Sequence, residues 1–469
     1  MTEPSIAVSR PLPSFATVDA VPSIREPFIT SSRGRIAGWF GILILAVCRF
    51  IGSVHYYPGS KPVTMSEALR VGYNLYKFGC LCNPYRLLAT GPTAHVPPLF
   101  PALVAGLYHI FGDGAAGTYA IQVSDALAIV GEVMLLPLVA LAFGLDLAVG
   151  FVASLLAVLI IVPNPESQGS YGGLLAIVCA ILACQYLRSI DTASAGVSRP
   201  HARSFHKPFF AGPWFLAFVT GLLWGILLLT DPSFGLVWAA WLALAAWHAY
   251  RLAQRASWLP ALIVPVLMIL PWTLRNERVL HSPVLIRSNL GLELMVSNNP
   301  CANYSFFNNL ETGCFGSVHP NQSRAEAEKV MKLGEVAYNQ AKLHEALAWI
   351  AANPGPFLKL TLQRTFSYWF PTPVMMEDGW GYHLFVGAMT VLSLAAFPVL
   401  WRASRAGFVL CLSFLLLYPS IYYFIQFDPR YRLPILWVTC FLAAIPIHQI
   451  LCWFRSGRTL PLADALRMY

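Results

Sequence analysis

The sequence predicts an all-α polytopic membrane protein with about ten transmembrane helices, and its composition and apolar runs carry this prediction. Hydrophobic residues make up 57% of the 469 residues and charged residues 11%, whereas soluble proteins carry about 25% charge. Apolar runs recur along the chain, most of them close to the ~20 residues that cross a bilayer. The predicted spans are residues 36–54, 118–143, 146–163, 171–188, 213–230, 234–250, 258–272, 381–401, 407–427 and 433–453.

The basic residues set the expected orientation. The formal net charge is +9, but the Lys and Arg residues lie in short clusters between apolar runs, which excludes a nucleic-acid partner and favours the positive-inside rule. Alternation of ten spans places most of these clusters on one side, together with Arg33 and Arg35. Both termini are therefore expected inside, with two long segments outside.

The same pattern divides the chain into segments. These are a Pro- and Ser-rich, disordered cytoplasmic tail (1–35), an N-terminal transmembrane module (36–274) that contains the outer loop 53–117, an outer helical segment (275–379), C-terminal transmembrane helices (380–454) and a cytoplasmic tail (455–469).

Three helices are expected in the outer segments. Residues 98–111 are apolar but too short to span, so they predict a helix that dips into the outer leaflet, with Pro97 and Pro98 at its start. Apolar residues at helical spacing from Val330 to Ile350 predict a second helix that stops before Pro354. "FLKLTLQRTFSYWF" (357–370) predicts an interfacial helix.

Several motifs resemble the bacterial family 39 type of membrane glycosyltransferases, relatives of protein O-mannosyltransferases and lipid A aminoarabinose transferases within the C-type glycosyltransferase superfamily. In chain order they are "GPTAHVPPLFPALVAGLYHIFG", "PWTLRNERVLHSPVLIRSNLGLELMVSNNP", "LGEVAYNQ" with "EALAWIAANPGPFLKLTLQR", and "RYRLPI". The resemblance implies transfer of a sugar from a polyprenyl-phosphate donor to an acceptor on the outer face of the membrane, usually with inversion. No cofactor beyond this donor substrate is expected.

Glu67 is the first candidate for the general base, because it is the only carboxylate between Ser53 and Phe100. The family places an Asp, often in an Asp-Glu pair, where this chain has Ser66-Glu67. A competing interpretation is a capping box from Thr64 to Glu67 that starts a helix. His95 is expected at the rim of the outer cavity, either in the chemistry or simply as an interfacial polar residue.

Glu166 is the second acidic candidate, because the superfamily often places another acidic residue in this short outer link; otherwise it is a solvated loop residue. Arg275, Arg287, Arg430 and Arg432 are candidates for binding the donor phosphate, since a planar guanidinium suits that anion. Ordinary interfacial anchoring is the alternative for each arginine.

The cysteines and two intramembrane charges give structural predictions. Cys301 and Cys314 are expected to form a disulfide, whereas Cys80 and Cys82 are expected to be too close in sequence to pair with each other. "CLC" lacks the spacing of a zinc site, so no metal is predicted. Arg49 and Asp125 are expected to pair.

A lipid or lipid-linked sugar transporter or flippase remains the alternative function, since it would also be all-helical. The sugar and the acceptor, whether lipid, glycan or protein, remain open. The resemblance favours the bacterial inner membrane, with the active site facing the periplasm.

Overall fold

The computed structural model describes residues 32–56, 66–161, 164–165, 167–194, 212–371 and 380–455. Within these ranges every regular element is helical, and the only β-type pairings are two isolated bridges. The chain is therefore an all-α polytopic membrane protein, as its composition predicts.

The helices of the N-terminal half are α1 (Ser32–Tyr56), α2 (Glu67–Phe78), α3 (Leu99–Phe111), α4 (Ala115–Ala142), α5 (Leu147–Ile160), α6 (Gly169–Ser194), α7 (Pro213–Thr230), α8 (Gly235–Arg251) and α9 (Leu259–Leu280). Those of the following segment are α10 (Leu290–Ser297), α11 (Phe306–Glu311), α12 (Cys314–Val318), α13 (Arg324–Leu333), α14 (Glu335–Ala352) and α15 (Pro354–Trp369). The last four are α16 (Trp380–Ala395), α17 (Phe397–Ala403), α18 (Arg405–Leu416) and α19 (Leu433–Arg455), with 3₁₀ turns at Pro232–Phe234, Tyr418–Tyr423 and Pro429–Arg432.

Seven helices in the described ranges are long and apolar enough to cross a membrane. An eighth span results if α16 and α17, bent by 47° at their junction, are one span. Two further predicted spans coincide with α5, of 14 residues, and α8, of 17 residues, both shorter than the ~20 residues of an untilted span. Helix α9 continues to Leu280, beyond the expected domain boundary at residue 275.

Helix α19 lies at the centre of the bundle and packs on α5, α6 and α16. Its side chains are buried along most of its length, and Phe441 contacts Phe143 edge to face with 5.4 Å between ring centroids. The two intramembrane charges do not pair as expected: Arg49 donates to the carbonyl of Ile161, and Asp125 accepts from the backbone N–H of Asn164. Backbone groups of the segment that follows α5 therefore contact both side chains instead.

Two smaller helical units stand beside this bundle and hold the outer loops. Helix α2 packs on α3, and α10 packs on α14. Gly72 makes the first contact possible, because a Cβ there would lie 2.7 Å from the Cβ of Val104. A Cβ at Gly291 would overlap the carbonyl oxygen of Asn339 in the second contact. The absence of a side chain at both glycines thus lets each pair of helices approach closely.

The outer helices follow the sequence prediction with one break. Helix α3 spans the residues predicted for the dipping helix and ends at Gly112. The helix predicted from Val330 to Ile350 is divided at Gly334, whose φ of 80° ends α13 and starts α14. Helix α15 leaves Leu358, Leu362 and Phe366 exposed at i, i+4 and i+8, the single apolar stripe typical of an interfacial helix.

The disulfide prediction is confirmed for one pair and wrong for the other. Cys301 and Cys314 are joined, and their bond anchors the start of α12. Cys80 and Cys82 are also joined to each other, contrary to the expectation. The chain turns directly after Gly79, which ends α2 in the left-handed conformation, and the two Cα atoms lie 5.4 Å apart, within the usual range for a disulfide.

Candidate active site

Glu67 is the first residue of α2, outside the membrane-spanning helices. The helix is capped by Ser66, whose hydroxyl accepts from the backbone N–H of Leu69 at 3.3 Å. The expected capping box from Thr64 to Glu67 is therefore wrong, because α2 starts at Glu67 and its N-cap is Ser66. Thr64 itself lies outside the described residues. The Glu67 carboxylate is not occupied in capping.

Two histidines hold the Glu67 carboxylate. His95 Nε2 lies 3.2 Å from Oε2, and His319 Nε2 lies 3.5 Å from Oε1. His95 is fully buried, with the Tyr85 hydroxyl 3.3 Å from its Nδ1, while the Glu67 side chain stays 25% exposed. His319 stacks on Phe315 of α12, with 4.4 Å between ring centroids. The carboxylate is thus fixed in orientation but remains accessible.

The charges of this cluster keep Glu67 ionised. Burial acts to raise the pKa of Glu67, but the charge and hydrogen bond of His95, with the charges of His319 and Arg430, lower it to about 2. Burial acts to lower the pKa of His95, and the negative charge of Glu67 outweighs it, so that this pKa is raised. For His319 burial wins, and its pKa is lowered. Near neutral pH the site therefore presents an anionic carboxylate.

This pairing predicts a pH-dependent contribution to stability. The raised pKa of His95 stabilises the fold fully below about pH 6.5, its unfolded value, and that stabilisation is lost as pH rises through the folded value. The depressed pKa of Glu67 stabilises above about pH 4.3 and is lost as pH falls toward about 2. We expect the difference in melting temperature between wild type and Glu67→Gln to be largest near pH 5–6.5 and to shrink at pH 9–10.

Glu328→Gln serves as the control in this comparison, because it removes a carboxylate that forms only an exposed i,i+4 pair with Arg324. Its melting temperature should follow that of wild type at every pH. A Glu67→Gln difference that stays constant from pH 5 to 10 contradicts the assignment of a charged Glu67–His95 pair.

Glu335, the first residue of α14, fixes the loop that carries His95. Its carboxylate accepts from the backbone N–H of Ala94 at 2.8 Å, from the Ser288 hydroxyl at 2.6 Å and from the Thr93 hydroxyl. Arg287 adds a bond from Nε to the carbonyl oxygen of His95 at 3.1 Å. The outer segment therefore positions a residue of the first outer loop.

Replacing Glu335 by Ala is expected to destabilise the protein strongly. Each buried donor left without a partner costs about 1–3 kcal/mol, and Glu335 is buried and accepts from three donors. Thermal unfolding in detergent should show a clear drop for Glu335→Ala and almost none for Glu328→Ala. Equal melting temperatures for the two variants would show that the loop is held by other contacts.

Arg430 brings positive charge to the same site. Its Nε lies 3.1 Å from Asp428 Oδ2, its side chain is 37% exposed, and its charge is among those that lower the pKa of Glu67. Its guanidinium lies over the rings of Phe306 and Tyr431. Of the four candidate arginines, Arg430 is half-buried and is the one whose charge is among those that act on Glu67.

The other candidate arginines bind the protein itself to different degrees. Arg432 is 4% exposed and donates to the carbonyls of Tyr368 and Trp369 and to the hydroxyls of Thr390 and Thr439. Arg275 donates to the carbonyls of Thr93 and Leu81. Arg287 is half-buried, and its Nε donates to the His95 carbonyl. Glu166 lies outside the described residues.

Three polar residues of this site were not singled out by the sequence: His319, Asp428 and Glu293. Asp428 stands in the "FDPRYRLP" segment and caps the 3₁₀ turn that carries Arg430. Glu293 lies on α10, and its charge acts on both His319 and Tyr431. The described residues contain no group of three or more His, Cys, Asp or Glu side chains arranged to hold a metal ion.

No protein-family model matches the sequence, and no curated protein sequence matches it. Among solved structures, the Archaeoglobus fulgidus oligosaccharyltransferase tethered to an acceptor peptide containing the NVT sequon matches with a TM-score of 0.50 and 12% identity, over 92% of this chain and 51% of that chain. The fold is similar to that of this oligosaccharyltransferase.

A second structure of the archaeal oligosaccharyltransferase AglB, in complex with an inhibitory peptide and a dolichol-phosphate, gives a TM-score of 0.49 and 12% identity over 92% of this chain and 53% of that chain. The chain thus spans about half the length of the oligosaccharyltransferases it matches.

Proposed function

We propose that this protein is a membrane glycosyltransferase that moves a sugar from a polyprenyl-phosphate donor to an acceptor hydroxyl on the outer face of the membrane. One observation carries the proposal: an accessible carboxylate, Glu67, is held by two histidines outside the spanning helices, and the half-buried cation Arg430 acts on it through its charge. A displacement at an anomeric carbon needs an anionic base for the acceptor and a cation for the departing phosphate.

In the proposed reaction the acceptor oxygen attacks the anomeric carbon while Glu67 takes the hydroxyl proton. The bond between this carbon and the phosphate oxygen breaks, and the phosphate leaves with the electron pair on the opposite side, which inverts the configuration. Arg430 stabilises the charge that develops on the phosphate. His95 and His319 keep the carboxylate oriented, and Arg287, half-buried beside His95, is the second candidate for contacting the phosphate.

The donor and the family follow from the sequence motifs. They resemble the bacterial family 39 type, which implies a polyprenyl-phosphate sugar donor, a bacterial inner membrane and a periplasmic active site. The apolar stripe of α15 gives the outer segment a surface suited to the membrane interface, where such a donor keeps its isoprenoid tail. The acceptor is a hydroxyl of a lipid, glycan or protein.

The proposed topology has ten spans, with α5 and α8 as short spans and residues 275–379 outside. It rests on the distribution of Arg and Lys residues. Reporter fusions near Leu343 and near Arg458 are expected to report opposite sides of the membrane. Finding both reporters on one side contradicts this topology.

A transferase and a transporter differ in what becomes of the donor. Purified protein in detergent, given a polyprenyl-phosphate sugar and a mixture of envelope glycans and lipids from the same cell type, should release free polyprenyl phosphate, measured by mass spectrometry. A transporter only relocates the intact donor. Absence of release by folded protein, together with movement of intact donor across proteoliposomes, overturns the proposal.

A further inference from the structure

A cavity of about 270 Å³ lies beside the proposed base, on the side of α2 that faces the loop 83–89. Six of its lining residues carry polar or aromatic groups: Arg70, Tyr73, Asn74, Asn83, Tyr85 and Arg86. Arg70 stands one helical turn after Glu67 on α2, and the Tyr85 hydroxyl contacts His95, the partner of Glu67. Two lining residues therefore connect the cavity to Glu67, Arg70 along the helix and Tyr85 through His95.

Two arginines and no acidic residue line this cavity. Burial lowers the pKa of Arg70; the charge of Glu67 opposes this effect and the charge of Arg86 adds to it. The nearby Asp113 accepts from Tyr73 and is paired with Lys77 at 2.7 Å, so this carboxylate has its own cation and lies outside the lining. Guanidiniums from two segments of the chain line one cavity, and an anion there can accept hydrogen bonds from both.

Arg86 is held in place without using its terminal nitrogens. Its backbone N–H donates to Asn321 Oδ1 at 3.0 Å and its Nε to the Asn321 carbonyl at 2.9 Å. The acceptors of both bonds belong to Asn321 of the outer segment, and the two terminal NH₂ groups of Arg86 take no part in them. The remaining lining includes the rings of Tyr73 and Tyr85, flat surfaces on which a sugar ring can stack.

We infer that this cavity is the acceptor subsite and that it takes a saccharide bearing an anionic group, carboxylate or phosphate, between Arg70 and Arg86. The inference rests on the proposed transferase function and names the acceptor class for the same site. An anion bound there places the rest of the saccharide next to Glu67, while Arg430 serves the donor. The donor phosphate and the acceptor anion thus have separate arginines.

Direct binding tests the inference without any transfer. The probes are digalacturonic acid, galactose 6-phosphate and the neutral disaccharide galactobiose, titrated into detergent-purified protein at low ionic strength and followed by saturation-transfer NMR. We expect at least one anionic probe to bind at least ten-fold more tightly than galactobiose, and the stronger of the two identifies carboxylate or phosphate as the group. Equal binding of all three probes, or no binding of any, overturns the inference.

Variants locate the site. Arg70→Gln and Arg86→Gln should each reduce binding of the preferred probe at least ten-fold, whereas Arg278→Gln, which removes an exposed arginine at the end of α9, should leave it unchanged. Retained binding in both pocket variants overturns the inference. If Arg86→Gln does not fold, binding is measured with Arg86→Lys, which keeps the charge, in its place. Release of polyprenyl phosphate is measured on the same wild-type preparation, so loss of the acceptor subsite and loss of the transferase function give different results.

Discussion

Glu67→Gln is expected to lower the rate of sugar transfer by about 10²- to 10⁴-fold, the usual loss when a general base is removed. The amide has the size of the carboxylate and can still accept a hydrogen bond from His95, but it cannot take the acceptor proton. Turnover of the polyprenyl-phosphate sugar by purified protein measures the effect, with thermal unfolding near neutral pH to show that the variant is folded.

Ser66→Ala is the matched control for Glu67→Gln, because it changes the neighbouring residue and removes the cap of α2 while keeping the Glu67 carboxylate. Loss of a cap costs about 1 kcal/mol of stability and leaves the base in place, so transfer should stay near the wild-type rate. Near-normal transfer by folded Glu67→Gln would assign the base elsewhere, and Glu166 then becomes the leading candidate.

Arg430→Ala is expected to lower the transfer rate by about 10²- to 10³-fold, the loss typical of removing one group that stabilises transition-state charge. Arg430 is half-buried and its charge acts on Glu67, and thermal unfolding checks that the variant is folded. Arg430→Lys should recover only part of the rate, because the planar fork that contacts two phosphate oxygens is lost. Steady-state kinetics with the polyprenyl-phosphate sugar measure both variants.

Arg432 provides the contrast to Arg430. It is buried and donates to four oxygens of the protein, so Arg432→Lys should lower the melting temperature more than Arg430→Lys does. Arg278→Gln changes an exposed residue and should alter neither the transfer rate nor the melting temperature. An unchanged transfer rate in folded Arg430→Ala would contradict this role and assign binding of the donor phosphate to Arg287.

Several elements could be predicted from local patterns in the sequence. The apolar run after Pro98 became α3, helical spacing from Val330 to Ile350 became α13 and α14, and Cys301 pairs with Cys314. Glu67 could be singled out because it is the only carboxylate in the sequence between Ser53 and Phe100.

Contacts between distant segments could not be predicted in the same way. His319 lies 252 positions after Glu67, in no motif, and reaches it from the end of α12, whose start is joined to Cys301 by the disulfide. Arg430 and Arg432 are two residues apart and look equivalent in sequence, yet in the 3₁₀ turn Arg430 is half-buried and Arg432 is buried. The Cys80–Cys82 bond depends on the turn after Gly79, which spacing alone does not reveal.

A cryo-electron microscopy structure of Glu67→Gln with bound polyprenyl-phosphate sugar tests the central claim most directly, because this variant should bind the donor without turning it over. We expect the donor phosphate within hydrogen-bond distance of the Arg430 guanidinium, and the anomeric carbon facing the side chain at position 67. A phosphate bound away from Arg430 and Arg287, with the sugar remote from position 67, contradicts the account.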